Sequence, residues 1–157
     1  MPSRTNPDPA ARGALVGLTL EHGRGHVARA ILESVAFVIR RNIEVMEELG
    51  VQVESIRASG GGARSRLWKQ IEADVTNRPV IITEQTDAAT LGACILAGAG
   101  AGLYSGIAEA AEEMVKLASV IEPDTKNLRC YNDSYAWYRQ TVDALAPVFK
   151  VMVTSHE

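Results

Sequence analysis

The first long element that the pattern of apolar and polar positions predicts is a helix. Over residues 25–49, apolar side chains recur every three or four positions, and charged side chains fill the positions between them. Gly50 is suited to end this helix, because the residue after the last turn commonly takes a positive φ. The predicted apolar stripe consists of Val27, Ala28, Ile31, Leu32, Val35, Val38, Ile39 and Val45.

Short strand-like segments then alternate with further helical ones. Residues 51–58 and 80–83 predict strands, and the second is apolar throughout, which is typical of a buried parallel strand. Residues 16–20 predict either a short strand or an extended approach to the first helix. Further helices are predicted over residues 65–76, 88–98, 106–117 and 131–149, and Thr86 or Asp87 could cap the second of these four.

This order predicts an α/β fold with few parallel strands and several helices. Three prolines make residues 1–15 an irregular segment, residues 16–149 form the domain, and residues 150–157 are expected to be a frayed tail. Sheets usually contain about four to six strands. We therefore expect the chain to be part of a larger domain.

Composition narrows the class of protein. Apolar residues make up 46% and charged residues 22%, as in globular proteins, and the net charge of −3 without a basic tract argues against a nucleic-acid partner. No apolar run reaches 18 residues and the N-terminus is no secretory signal, so we expect no membrane span and a cytoplasmic location. Cys94 and Cys130 form no C-x-x-C pair and are predicted to be buried, reduced thiols. Since aromatics make up only 5%, the core should rest on Ala, Val, Leu and Ile.

The strongest candidate for chemistry is the glycine turn, defined here as residues 59–65, between the strand 51–58 and the helix that follows. Strand, glycine turn and helix form a common way to bring a nucleotide onto bare backbone and a helix N-terminus. The dinucleotide fingerprint fails because Ser65 stands where its last glycine should, and no Gly-Lys-Ser/Thr follows for a P-loop. An ordinary tight connection and a mononucleotide turn remain. In the latter, the glycines face the sugar or base, and Ser65 could bind the purine.

Other candidate sites are weaker. His22 and His26 are four residues apart, but Gly23 and Gly25 disfavour a helix there, so we expect no metal site. Ser34 and His156 show no triad pattern, and Glu72 and Asp74 fall on different faces of a helix. The aromatic residues expected to pack in a core or interface are Trp68, Tyr131, Tyr135 and Tyr138.

Three segments together resemble the C-terminal part of the FGGY carbohydrate kinases, the xylulokinase and ribulokinase group. The first comprises residues 11–13, 17–24 and 29–37, and the second is residues 60–75. The third is Glu84 with residues 89–97 and Gly100. They lie in the family's order and spacing, and the resemblance covers most of residues 11–140.

The resemblance implies a partial actin-like (ribonuclease H-like) ATPase domain, with ATP bound between two domains and its phosphate passed to a sugar or polyol hydroxyl. In that family the glycine turn lies against adenosine. The small-residue helix around Gly92 and Ala93 matches a segment near the interdomain hinge. The residues that the resemblance assigns to the adenosine site are Gly60, Gly61, Gly62, Ala63 and Ser65.

The chain also departs from the family pattern. None of its aspartates begins an Asp-x-Gly-Thr phosphate loop, so we assign neither a catalytic nor a metal-binding residue here. We expect an incomplete kinase, in which Mg²⁺ acts only in the complete enzyme and the isolated chain binds ATP weakly and transfers no phosphate. Two alternatives are a non-catalytic module, whose bare strand edges pair with a second copy or a separate N-terminal half, and an unrelated nucleotide-binding α/β domain. The sequence does not name the sugar.

Overall fold

The computed structural model describes residues 9–85 and 87–154. The described residues divide into two compact units, residues 9–53 with 125–154 and residues 54–85 with 87–124. Two short 3₁₀ turns, Gly61–Arg64 and Thr125–Asn127, accompany the longer elements. These are, in chain order, α1 (Arg24–Glu48), β1 (Ile56–Ala58), α2 (Arg66–Thr76), β2 (Val80–Thr83), α3 (Ala88–Gly100), α4 (Ile107–Met114), β3 (Leu117–Ile121) and α5 (Leu128–Thr154).

The first unit is built on the packing of α1 against α5. Phe37 of α1 lies against three tyrosines of α5, with ring centroids 6.5 Å from Tyr131, 5.7 Å from Tyr135 and 5.2 Å from Tyr138. Tyr131 and Tyr135 are buried and Tyr138 is half-buried, which confirms that these tyrosines pack in a core. The expectation that the core rests on Ala, Val, Leu and Ile is wrong for this unit, because four of the chain's few aromatic side chains are concentrated here.

The tyrosine hydroxyls reach charged partners on α1. Tyr135 Oη donates to Glu44 Oε2 at 2.8 Å, and the Arg40 guanidinium lies 4.4 Å from the Tyr135 ring centroid. Burial, helped by the bond to Glu44, raises the pKa of Tyr135 to about 12. Tyr131 Oη accepts from Arg29 at 2.6 Å, so both hydroxyls are satisfied where the rings are buried.

The predicted apolar stripe of α1 is covered only in part. The residues buried on this helix are Ala36, Phe37 and Ile43, of which none belongs to the predicted stripe. Stripe residues Ile31 and Val38 are 55% and 46% exposed. The helix is apolar on more than one face, and α5 packs on the face that carries Phe37.

The second unit contains a three-stranded sheet in the order β1-β2-β3. β1 and β2 are parallel, with Ile56 opposite Val80, whereas β3 runs antiparallel to β2, with Ile121 opposite Val80. The prediction of parallel strands alone is therefore wrong, and the sheet is mixed. Four of the five β3 residues are exposed, so the sequence lacks the buried alternation by which a strand is predicted.

A small aliphatic core holds the sheet to α2. Ala58 of β1, Val80 of β2, Ile121 of β3 and Ala73 of α2 are buried in one cluster with Ala63. These side chains are short, so the helix and strands can approach closely. In this unit, the expectation of a core made from Ala, Val and Ile is confirmed.

Several element boundaries differ from those predicted. β1 contains three residues where residues 51–58 were predicted, and α4 ends at Met114, before the predicted end at residue 117. Residues 16–20 form no strand, and α5 continues to Thr154, so residues 150–154 are helical where a frayed tail was expected. Both cysteines are exposed, which corrects the prediction that they are buried. Thr86 and His156 lie outside the described residues.

Candidate functional site: the glycine turn

The glycine turn reverses the backbone between β1 and α2. Gly60 adopts φ +80° and ψ −172°, a conformation that a residue with a Cβ rarely takes. The 3₁₀ turn that follows is closed by the Ala63 N–H, which donates to Gly60 O at 3.1 Å, and the Ser65 N–H, which donates to Gly62 O at 3.4 Å. The need for glycine at position 60 is thus conformational.

The next two glycines differ in their surroundings. A Cβ at Gly61 would meet nothing within 4 Å, and the residue is exposed. A Cβ at Gly62 would lie 3.1 Å from Cζ3 of Trp68, so the indole occupies the space beside that residue. At Gly61 the turn therefore presents bare backbone, and at Gly62 it is backed by an aromatic ring.

Ala63 and Ser65 occupy different environments from the glycines. Ala63 is only 4% exposed and belongs to the core of the unit, so only its backbone could meet a ligand. Ser65 is the N-cap of α2, and its Oγ accepts the Trp68 N–H at 3.3 Å. Because Ser65 is exposed and its hydroxyl hydrogen is not used by this bond, the hydroxyl can still donate to a ligand.

The structure thus brings the five predicted site residues into one short turn, with three glycines and Ser65 accessible and the Ala63 side chain turned into the core. Their contact with a nucleotide stays a prediction. Gly60 and Gly61 present backbone with open space beside it, whereas Ser59, Arg64 and Ser65 of the same turn carry exposed side chains.

A buried ion pair lies on α2 directly after the turn. Lys69 Nζ is 2.6 Å from Glu72 Oε1, and both side chains are buried. The same ammonium lies 4.8 Å from the Trp68 ring centroid, within the range of a cation–π contact. Sequence reasoning missed this pair, since Lys and Glu three residues apart are usual on a solvated helix face.

The other carboxylates nearby have separate structural partners. Asp74 Oδ1 accepts from Gln70 Nε2 at 2.7 Å and from the Asp124 N–H at 2.8 Å, whereas Glu72 binds Lys69. These separate contacts agree with the prediction that Glu72 and Asp74 do not act as a catalytic pair. Asp74 instead ties the segment that follows β3 to α2.

Asp87 caps α3, which confirms one of its two predicted caps. Its Oδ1 accepts the Thr90 N–H at 3.1 Å and its Oδ2 accepts the Thr90 hydroxyl at 2.8 Å, and these bonds lower the pKa of Asp87. The carboxylate places negative charge at this helix N-terminus, which disfavours a phosphate there.

Gly92 is half-buried and Ala93 is exposed, and their place near an interdomain hinge stays a prediction.

His22 lies just before α1, whereas His26 lies in its first turn, so the expectation that the glycines disfavour a helix there is wrong for His26. Both rings are engaged with the backbone. Nδ1 of His22 accepts the Thr19 N–H at 2.9 Å, and Nδ1 of His26 accepts the Gly23 N–H at 3.1 Å. A neutral ring that accepts at Nδ1 carries its proton on Nε2, so it has no free lone pair for a metal. Among the residues that the structure describes, no three His, Cys, Asp or Glu side chains are grouped to hold a metal ion.

Comparison with known proteins identifies a family match over most of the chain. The family model for the C-terminal domain of the FGGY family of carbohydrate kinases matches residues 3–101. Xylulose kinase from Bacillus subtilis is 33% identical over 132 residues, which are 84% of this chain and 26% of that protein. Glycerol kinase from Saccharolobus islandicus is 40% identical over 103 residues, which are 65% of this chain and 21% of that protein.

Solved structures show the same likeness. The crystal structure of xylulose kinase from Rhodospirillum rubrum matches with a TM-score of 0.80 and 35% identity, over 91% of this chain and 29% of that one. This confirms the predicted fold, an α/β part of an actin-like ATPase domain, and excludes the unrelated α/β domain considered above. The chain spans less than a third of the length of the relatives it matches. Within the described part of the chain, none of the helices combines the length and apolarity that a bilayer crossing requires.

Proposed function

We propose a function on the premise that this chain belongs to the FGGY family of carbohydrate kinases, of which it is a C-terminal domain. In this proposal the chain forms the wall against which adenosine lies in an ATP-dependent kinase. The phosphate acceptor is a sugar or polyol hydroxyl, since relatives are named xylulose kinase and glycerol kinase. Neither the family match nor the structural likeness favours the alternative of a non-catalytic interaction module.

The observation that carries this proposal is the bare, accessible backbone at Gly60 and Gly61. Open space lies where a Cβ of either residue would stand, so a purine nucleoside can approach to van der Waals distance of the peptide planes. In this proposal the Ser65 hydroxyl, at the end of the turn, donates to an acceptor on the base, because its bond to the Trp68 N–H leaves its hydrogen unused. Ala63 contributes its backbone only.

We further propose that these 157 residues alone bind ATP weakly and transfer no phosphate. When bound, ATP supplies the phosphoryl group, and its transfer needs a metal ion, positioned phosphates and a base at one place. We expect Mg²⁺ to act in the complete kinase. In this chain no aspartate begins an Asp-x-Gly-Thr loop, and assistance from a helix dipole contributes only about 0.3–1 kcal/mol.

Because Cys94 and Cys130 are both free thiols, we keep the reducing cytoplasm as the expected compartment.

Substitution of Gly61 tests the adenosine wall. Gly61→Asp places a carboxylate in open space at a residue without positive φ, so the fold should tolerate it while the nucleoside face is blocked. We expect the affinity for ADP, measured by calorimetry, to fall about tenfold or more, which corresponds to about 1.4 kcal/mol. Gly25→Asp is the matched control, because Gly25 also has open space, lies in α1 and receives the same charge. Equal affinity in both variants would contradict the proposal.

A turnover assay tests the predicted inactivity. The chain is incubated with ATP, Mg²⁺ and either xylulose or glycerol, the compounds after which its relatives are named, and ADP release is followed. We expect no release above the background without sugar. Sugar-dependent turnover would show that the 157 residues contain a complete catalytic site.

A further inference from the structure

We propose that Trp68 is a positioning residue for the nucleotide, because its indole ring holds the glycine turn in its binding shape. The inference rests on the proposed function and adds a residue that is not among those assigned to the adenosine site. Trp68 does not need to touch the ligand. It acts through Gly62, on which its ring lies.

The contact between ring and turn is close. A Cβ built on Gly62 would lie 3.1 Å from Cζ3, 3.5 Å from Cε3 and 3.8 Å from Cη2 of Trp68, so the six-membered ring of the indole lies against this residue. The backbone of Trp68 is tied to the same turn, since its N–H donates to Ser65 Oγ at 3.3 Å. Residue 68 therefore touches both ends of the 62–65 segment.

The ring is itself held from the side of α2. The Lys69 ammonium lies 4.8 Å from the ring centroid, and a 2.6 Å bond to Glu72 keeps that ammonium in place. Both charged side chains are buried, so this pair is little screened by water. Glu72, Lys69, Trp68 and Gly62 thus form a chain of contacts from the buried face of α2 to the accessible turn.

The polar group of the indole takes no part in this role. Nε1 of Trp68 is buried and meets no acceptor among the residues that the structure describes. A buried donor without a partner lowers stability. A Trp at this position is therefore favoured by the area and rigidity of its ring. It follows that Phe should preserve much of the function and Leu should not.

The experiment uses Trp68 as both target and reporter. The chain contains two tryptophans, and Trp137 is 67% exposed on α5, so Trp137→Phe leaves Trp68 as the only indole. In this background we expect ADP to change the fluorescence of Trp68 saturably. Trp68→Leu removes this reporter, so its ADP affinity is measured by calorimetry, and it should be weaker by about tenfold or more while the circular dichroism spectrum stays that of a folded chain. Trp68→Phe should stay within about threefold of the parent affinity.

Leu67→Ala is the matched control for the loss of apolar side-chain volume. Leu67 is the neighbouring position, is 57% exposed and should leave ADP affinity unchanged. Parent-like affinity in Trp68→Leu would overturn the inference. So would equal losses in Trp68→Leu and Leu67→Ala, since the effect would then not depend on the ring.

Coupling to Gly62 separates positioning from general stability. Gly62→Ala alone should weaken ADP binding, because the methyl group would push against the ring. In the Trp68→Leu background the same change should cost less, since the smaller side chain leaves room. Additive effects would contradict the inference.

Failure of the two proposals can be told apart. If Gly61→Asp weakens ADP binding and Trp68→Leu does not, the adenosine wall stands and the role of Trp68 falls. If the parent chain binds no ADP at millimolar concentration, the proposed function fails and the role of Trp68 fails with it.

Discussion

Single residues in this chain are constrained by neighbours that the sequence does not bring together. Gly60 requires a positive φ, whereas Gly62 is limited by a tryptophan six positions later. The glycine run predicted the turn, because three consecutive residues without Cβ are rarely used elsewhere. It could not distinguish the open side at Gly61 from the backed side at Gly62, since that difference depends on how α2 directs its first side chains.

Tyr135 gives a prediction on alkaline pH. Burial and the bond to Glu44 raise its pKa to about 12 from the usual value of 10. The neutral phenol is therefore favoured in the folded state, and its stabilisation is complete below pH 10 and lost as the pH rises through 12. We expect the free energy of unfolding, measured in urea, to fall over this interval.

The control for this prediction is Tyr135→Phe, which keeps the ring. Glu44 retains ion-pair partners in Arg40 at 3.6 Å and Arg139 at 3.8 Å. The decline in stability from pH 10 to 12 should be shallower in this variant. Identical pH dependences for variant and parent would show that the phenol is not stabilised in the folded chain.

Whole elements were predictable where their side chains are periodically buried. The long helices are visible in the sequence because apolar positions recur along them, and β2 is visible as an unbroken apolar run. β3 was missed because only Ile121 of its five residues is buried. Its structure depends on backbone pairing with β2, which no local pattern reports.

The helix α2 yields a prediction about its buried charges. Lys69→Met leaves Glu72 buried without its cation, so we expect a loss of about 3–5 kcal/mol in the free energy of unfolding. The double change Lys69→Met with Glu72→Leu removes both charges and should recover most of that loss. Denaturant unfolding compares the two variants. A single variant as stable as the parent would mean that the pair is solvated rather than buried.

At the scale of the whole molecule, the cores of the two units are made of different residue types. The unit with α1 and α5 packs four aromatic rings, whereas the unit with the sheet packs Ala, Val and Ile side chains. The family and fold were predictable because the three matching segments lie mostly on elements with clear periodicity. The sequence could not predict which side of α1 remains exposed, since burial depends on what packs against a helix rather than on the helix's own pattern.

The central claim is that the backbone of residues 60–62 lies against adenosine. The most direct measurement is an NMR titration of the 157-residue chain with ADP, in which every backbone amide is followed. We predict saturable shifts concentrated at Gly60, Gly61, Gly62 and Ser65, and in Gly61→Asp the same shifts should need about tenfold more ADP or be lost. Saturable shifts that leave this turn unchanged would contradict the account.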